Sequence, residues 1–193
     1  FRLLNGRVFL DGKLMDIPNT VAGAMRALRK LKPALINVHC MGGAEMMKAA
    51  AEVEDRPKLL GVTLLTSLDY AGLAQLGLMP RDILAEAEQA TLQGRRIENR
   101  VAELAQLAKR NGLDGVIASP REIEGVRAAC GVDFLIVTPG VRPEWASAGD
   151  QKRVMTPAEA VKAGANYLVI GRPITNPPSE IGVPVDAARK IVE

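Results

Sequence analysis

The sequence predicts an α/β fold and, within that class, a (β/α)8 TIM barrel. Short aliphatic segments alternate with helical patterns along the whole chain, which is the order of a parallel sheet with helical crossovers. Segments such as Phe134-Leu135-Ile136-Val137 are apolar at every position, as expected for a sheet covered on both faces. Neither G-x-G-x-x-G nor a P-loop pattern occurs, so the barrel is favoured over an open nucleotide-binding sheet.

Six segments are short and rich in aliphatic or β-branched residues, and each is predicted to form a strand. In chain order they are Arg7–Asp11, Ala34–His39, Leu59–Leu65, Gly115–Ala118, Asp133–Thr138 and Asn166–Ile170. A helix is predicted after every strand, because the intervening segments repeat apolar residues with a helical period. These helices are Thr20–Leu31, Gly43–Glu54, Pro80–Asn111, Pro120–Cys130, Pro157–Ala163 and Val185–Val192.

Residues at the helix boundaries agree with this order. Met79-Pro80 is predicted to open the third helix, and Thr156-Pro157-Ala158-Glu159 has the pattern of a capping box. Gly112, Gly131 and Gly164 follow directly after predicted helix ends, where a left-handed residue commonly stops a helix. No linker or low-complexity segment interrupts the pattern.

The number of units falls short of a closed barrel. Six units in 193 residues give roughly 32 residues each, and eight such units need about 250 residues. We therefore interpret residues 1–193 as a single (β/α) barrel domain with two units absent from the sequence.

Composition excludes several classes of protein. No apolar run approaches the roughly 20 residues of a membrane span, and no signal peptide precedes the first strand, so we expect a cytoplasmic protein without a membrane partner. Cys40, Cys130 and a lone His39 are too few for a disulfide framework or a structural metal site. The 25 basic and 22 acidic residues are interspersed and aromatic residues make up 3%, which argues against a nucleic-acid partner and for a small anionic one.

Polar residues collect where the predicted strands end, which is the catalytic end of a parallel barrel. Asp11 and Lys13 are two apart on an extended chain and are expected to project to one side, with Asp16 close behind. A lysine held protonated by carboxylates suits a general acid. The alternative is a solvated ion pair at a strand end, which has little energetic value.

The last two strand ends carry cations. Gly171-Arg172 follows the last strand and Arg142 follows the one before, on the loops that barrels most often use for phosphate. The alternative is that both arginines are surface charges. The long loop from Pro139 to Val154 is interpreted either as a lid or as a plain surface excursion. His39 is interpreted as hydrogen-bonded scaffolding.

One long motif resembles the signature of bacterial orotidine 5′-phosphate decarboxylase, namely Phe9-Leu10-Asp11-Gly12-Lys13-Leu14-Met15-Asp16-Ile17-Pro18-Asn19-Thr20. Further segments follow in the order of that family. They include Asn37-Val38-His39, Gly61-Val62-Thr63-Leu64-Leu65-Thr66-Ser67, Gly112-Leu113-Asp114-Gly115-Val116, Val137-Thr138-Pro139-Gly140-Val141-Arg142-Pro143, Gly149-Asp150-Gln151 and Val169-Ile170-Gly171-Arg172-Pro173-Ile174. The resemblance covers essentially the whole chain.

The resemblance implies a homodimer with shared active sites that converts orotidine 5′-monophosphate to UMP and CO₂ without metal or organic cofactor. It makes Lys13 the donor of a proton to C6 of the pyrimidine, places Asp11 beside the substrate carboxylate, and assigns Asp16 to the neighbouring subunit's site. The substrate-binding residues that it implies are Ile17, Thr20, Thr66, Arg142, Gln151, Gly171 and Arg172. Within that set, Ile17 and Thr20 serve the neighbouring subunit, Thr66 bonds the base, and Gln151 bridges phosphate and base.

Two departures from the family pattern stand out. Gly12 replaces a larger apolar residue, and the family's first two strands, with an aspartate and a second lysine, have no counterpart before Asp11. The remaining strands are then the third to eighth of the barrel. We expect roughly 50 to 60 further N-terminal residues, judged from the length of one barrel unit, and no stable active enzyme from 193 residues alone.

Two other functions stay open. A metal-dependent sugar-phosphate decarboxylase or aldolase, of the 3-keto-gulonate-6-phosphate decarboxylase or hexulose-6-phosphate synthase type, shares the Asp-x-Lys-x-x-Asp core. Asp16-Ile17-Pro18-Asn19-Thr20 and Gln151 favour the nucleotide enzyme. The non-enzymatic alternative is an incomplete barrel that only binds phosphate ligands.

Overall fold

The computed structural model describes residues 7–81, 86–146 and 155–193, without the side chains of residues 86–89. Six strands alternate with helices. The strands are β1 (Phe9–Leu14), β2 (Leu35–His39), β3 (Lys58–Val62), β4 (Gly115–Ile117), β5 (Leu135–Pro139) and β6 (Tyr167–Val169). The helices are α1 (Pro18–Leu28), α2 (Gly43–Ala51), α3 (Tyr70–Gln75), α4 (Glu86–Arg110), α5 (Ile123–Cys130), α6 (Pro157–Ala163), α7 (Arg172–Thr175) and α8 (Pro184–Val192).

The strands lie in one sheet in sequential order, from β1 to β6. The pairs β1–β2, β2–β3, β3–β4 and β5–β6 are parallel. Sequential order with a helix after every strand is the topology of a (β/α) barrel, and the predicted fold class is confirmed. No helix among the described residues is both long and apolar enough to cross a bilayer.

The chain divides into two compact units, formed by residues 1–64, 98–117 and 125–135 and by residues 65–97, 118–124 and 136–193. In the first unit, β2 is buried on both faces, as the continuous apolar pattern predicts. Its core contains Met25 from α1 and Met46 and Met47 from α2, all fully buried. Gly115 has no side chain where the Leu135 backbone approaches, and an added Cβ would clash with the Leu135 carbonyl oxygen.

In the second unit, the predicted capping box begins α6. The Thr156 hydroxyl accepts a hydrogen bond from the Glu159 backbone at 3.3 Å, and the Thr156 backbone donates to the Glu159 carboxylate at 2.9 Å. Gly164 ends this helix in the left-handed conformation, with φ of 110°. Tyr167 and Val169 of β6 remain exposed by 50% and 40%, unlike β2 and β3 of the first unit, which are mostly buried.

Several predicted boundaries are wrong. The first strand begins and ends later than predicted, so Asp11 and Lys13 lie within β1 rather than after it. The helix predicted to open at Pro80 is described from Glu86, and Pro80 itself is not helical. Helix α3 was not predicted, although Asp69 caps it by accepting a hydrogen bond from the Gly72 backbone at 3.0 Å.

Candidate active site

Asp11 and Lys13 form an ion pair at the end of β1. The Lys13 Nζ donates to Asp11 Oδ2 at 2.5 Å, and the two side chains are 43% and 49% exposed. The predicted pairing is present, but the predicted reason for it is wrong. Lys13 has φ of 46°, in the left-handed region, and the register of β1 against β2 shifts between Leu10 and Leu14. A local break in the strand, rather than regular alternation, brings the two side chains together.

Asn37 completes this pair and was not predicted as a site residue. Its side chain, fully buried in β2, donates from Nδ2 to Asp11 Oδ1 at 2.6 Å. Its Oδ1 accepts a hydrogen bond from the Lys13 backbone at 2.7 Å. The signal in the sequence is a polar residue inside an otherwise apolar strand segment, because a buried amide requires partners.

The electrostatics of the pair favour an ionised Asp11. Burial raises the pKa of Asp11, but hydrogen bonds from Lys13 and Asn37, with the positive charges of Lys13 and His39, lower it below its ordinary value overall. At His39, burial and the nearby Lys13 lower the pKa, against the opposite effect of Asp11. The Asp11 carboxylate is therefore ionised near neutral pH.

Asp16, Ile17 and Thr20 lie on the surface at the start of α1. The Asp16 carboxylate accepts a hydrogen bond from the Ile17 backbone at 2.6 Å, and Ile17 is 68% exposed. Thr20 is exposed in the first turn of the helix. Within the described ranges, no ion pair joins Asp16 to Lys13. The first unit therefore brings Asp11 and Lys13 together, while Asp16, Ile17 and Thr20 face solvent.

The second unit contains the predicted phosphate residues. Arg142 is 9% exposed, donates from Nη1 to the Val141 carbonyl at 3.1 Å, and lines a cavity of about 240 Å³. Thr66, predicted to bond the base, is half-buried in a turn of the same unit. The buried position of Arg142 differs from that of an ordinary surface arginine.

Gly171 and Arg172 begin the short helix α7. The Gly171 carbonyl accepts hydrogen bonds from the backbones of Ile174 at 2.8 Å and Thr175 at 3.1 Å, and Arg172 is exposed. Pro139 of β5 is paired with Val169 of β6. Arg142 lies three residues after Pro139, and Arg172 lies three residues after Val169. The loops that follow β5 and β6 therefore leave the same end of these two strands, as predicted.

Two residues of the second unit, each at or just after the end of a strand, carry buried hydroxyls. Ser119, just after β4, and Thr138, in β5, are fully buried, and their hydroxyl oxygens have no hydrogen-bond partner among the described residues. Each can still donate one hydrogen bond and accept others. Thr138 was not predicted as a site residue, because a threonine in a strand has no distinctive signal.

Gln151 and much of its loop, residues 147–154, lie outside the described residues. No group of three His, Cys, Asp or Glu side chains in the described part of the chain could hold a metal ion.

Comparison with known proteins identifies the family. Residues 1–191 match the model of the family described as "Orotidine 5'-phosphate decarboxylase / HUMPS family". The chain is 51% identical to the orotidine 5′-phosphate decarboxylase of Trichlorobacter lovleyi, covering 97% of this chain and 73% of that protein. It is 50% identical to that of Moorella thermoacetica, covering 96% and 70%.

Two solved structures are similar over most of their length. The crystal structure of orotidine 5′-phosphate decarboxylase from Lactobacillus acidophilus has a TM-score of 0.73 and 35% identity, covering 96% of this chain and 74% of that one. An uncharacterized conserved protein from Geobacillus kaustophilus has a TM-score of 0.74 and 34% identity, covering 99% and 77%. The chain thus spans about three quarters of these relatives.

Proposed function

The chain belongs to the orotidine 5′-phosphate decarboxylase / HUMPS family, and from this membership we propose that it decarboxylates orotidine 5′-monophosphate to UMP and CO₂ in pyrimidine biosynthesis. The observation that carries the proposal is the Asp11–Lys13 ion pair at the end of a parallel strand, held by Asn37. This is the end of the sheet where parallel barrels carry out chemistry.

The reaction needs one bond to break and one proton to arrive. The bond from C6 to the carboxyl carbon breaks, its electron pair stays on C6, and CO₂ leaves. The Lys13 ammonium stabilises the negative charge on C6 and then donates its proton there, and solvent reprotonates the amine. Asp11 stands beside the substrate carboxylate and keeps Lys13 oriented through their hydrogen bond.

The remaining residues bind the parts of the substrate that do not react. Arg142, Gly171 and Arg172 hold the phosphate, because guanidinium groups and backbone N–H groups are suited to phosphate oxygens. Thr66 bonds the pyrimidine and Gln151 bridges phosphate and base. Binding energy from the phosphate then contributes to ordering the reacting groups.

We further propose a homodimer in which Asp16, Ile17 and Thr20 serve the partner's site. All three residues are exposed in this chain, which supports that role. The apolar side chains of Ile17 and its neighbour Met15 are exposed by 68% and 56%, as expected for residues that a partner covers. A cytoplasmic location agrees with two free cysteines, Cys40 and Cys130. Orotidine 5′-monophosphate and UMP are the proposed ligands, with no nucleic-acid or membrane partner.

An absorbance assay tests the activity. The ultraviolet absorbance of orotidine 5′-monophosphate changes as it becomes UMP, and the rate should be unaffected by a chelator and lost in Lys13→Ala. Activity that the chelator abolishes, or turnover of a sugar phosphate instead, supports the metal-dependent alternative. UMP binding without turnover in the wild-type chain supports the incomplete barrel.

A further inference from the structure

We propose that Asn37 is a positioning residue that holds Asp11 and Lys13 in the arrangement needed for proton delivery. The inference rests on the proposed decarboxylase function and extends it to a residue that does not itself touch the reacting atoms. It stands on a closed set of three hydrogen bonds that joins β1 to β2 at the end of the two strands.

The donors and acceptors in these three hydrogen bonds fix the orientation of the Asn37 amide. The Asn37 amide donates to Asp11 Oδ1, while the Lys13 ammonium donates to the other carboxylate oxygen, Oδ2. The amide oxygen of Asn37 accepts from the Lys13 backbone. A carboxylate only accepts and a backbone N–H only donates, so these two neighbours fix which way the amide faces. Exchanging its oxygen and nitrogen would break both bonds.

The backbone of Lys13 depends on the same side chain. Lys13 has φ of 46°, a conformation that is unfavourable for a residue with a side chain. The register between β1 and β2 shifts at this point, so the Lys13 N–H takes the Asn37 oxygen in place of a regular strand partner. Asn37 therefore stabilises the break that turns the lysine side chain back toward Asp11.

Asn37 itself has little freedom to move. Its side chain has no exposed surface, and its neighbours Ile36 and Val38 in β2 are also fully buried. A buried amide that lost its partners would be strongly unfavourable, so the packing of β2 and the hydrogen bonds act together. A rigid strand thus fixes the position of two exposed, otherwise mobile side chains.

Replacing Asn37 should affect chemistry more than substrate binding. In Asn37→Leu, which has similar volume and no polar atoms, kcat should fall about 10- to 100-fold, as for other small displacements of reacting groups, while KM changes little. The phosphate residues that dominate binding are untouched. The acid limb of the kcat/KM profile should move to higher pH, because Asp11 loses a hydrogen bond to its ionised form. Among the described residues, the other titratable groups that act on Asp11 are Lys13 and His39, both unchanged.

Thr63→Val is the matched control. Thr63 is also buried in the first unit, and its hydroxyl donates to the Ile117 carbonyl at 2.8 Å rather than to Asp11 or Lys13. Its replacement should change stability without changing kcat or the acid limb. Equal losses of kcat in Thr63→Val and Asn37→Leu, or a wild-type kcat and pH profile in Asn37→Leu, would overturn the proposal.

Asn37→Asp covers the case in which the leucine variant does not fold. It keeps the acceptor for the Lys13 N–H but sets a second carboxylate against Asp11, so the acid limb should shift to still higher pH. Carboxyl NMR titration of Asp11 gives a readout without turnover. If the wild-type protein that carries the expected N-terminal strands fails to decarboxylate the substrate, the proposed function is wrong. An Asp11 pKa that is then equal in wild type and Asn37→Asp rejects the role of Asn37 as well.

Discussion

The Arg56 guanidinium Nη1 lies 2.5 Å from Asp114 Oδ2, and this ion pair connects the start of β3 to the start of β4. The two side chains are 17% and 19% exposed. Arg56 also donates to the Ala51, Pro57 and Gly112 carbonyls, at 2.9, 3.0 and 2.9 Å. It lies at the opposite end of the strands from Asp11 and Lys13, the end where barrel residues contribute to stability rather than chemistry.

Removing the Asp114 charge should destabilise the protein in a pH-dependent way. Burial raises the pKa of Asp114, but bonds from the Leu59 backbone, Arg56 and Lys58 outweigh it and leave the pKa below its ordinary value of 3.8. Asp114→Asn should therefore lower the free energy of unfolding by about 2 kcal/mol at neutral pH, the cost of leaving the partly buried Arg56 without its charged partner.

The difference between the two proteins should shrink in acid. A depressed carboxyl pKa stabilises the fold above the ordinary value of 3.8, and this contribution is lost as the pH falls through the folded-state pKa. Urea unfolding of the wild type and Asp114→Asn, from pH 7 down to pH 3, measures the difference in their free energies of unfolding. Glu52→Gln, at an exposed ion pair with Lys48 of 4.0 Å, should be nearly neutral. A difference in free energy of unfolding between wild type and Asp114→Asn that stays constant at every pH would contradict a stabilising role for the ionised Asp114.

The sequence was enough to predict the order of strands and helices, because burial on both faces and helical periodicity are written in local patterns. It also predicted that Asp11 meets Lys13, but it placed Asp16 close to the same lysine, and no ion pair joins those two among the described residues. It could not predict the left-handed turn at Lys13, since that conformation depends on Asn37, 24 positions away in another strand. Contacts between distant residues are the part that local patterns do not contain.

Arg172 should contribute to nucleotide affinity. Arg172→Ala should weaken UMP binding about 10- to 100-fold, the loss expected for a hydrogen bond between charged groups. Titration calorimetry with UMP measures the change, and Arg172→Lys should recover part of it. The control is Arg189→Ala on α8, whose side chain is 72% exposed and pairs loosely with Asp186 at 3.9 Å. Equal affinity in wild type and Arg172→Ala would show that Arg172 is a surface charge.

Both cysteines should be unreactive in the native protein. Cys40 is 1% exposed and burial raises the pKa of its thiol to about 12, while Cys130 is 2% exposed with a raised pKa, also from burial. The thiolate is the reactive form, so a disulfide reagent should modify neither residue until the fold opens. In guanidinium chloride both should react at the rate of a free thiol. Rapid modification of two thiols in native protein contradicts the buried placement.

Sharing of the active site between subunits can be tested by combining two inactive variants. Lys13 pairs with Asp11 of its own chain, whereas Asp16 lies on the surface with Met15 and Ile17 exposed on either side. Each proposed site then takes Lys13 from one chain and Asp16 from the other. Lys13→Ala and Asp16→Ala homodimers should both be inactive, since every site lacks one group.

A hybrid dimer of the two variants places both substitutions in one site and leaves the other intact. Random exchange of an equal mixture makes half of the dimers hybrid, so about one quarter of wild-type sites should be competent. The rate of decarboxylation, followed after brief exposure to mild denaturant, should rise from near zero toward that fraction. Mixing either variant with a Lys13→Ala, Asp16→Ala double variant is the control and should restore nothing, because no intact site can form. A mixture of the single variants that exchanges subunits, as tagged chains report, and still stays inactive contradicts a shared site.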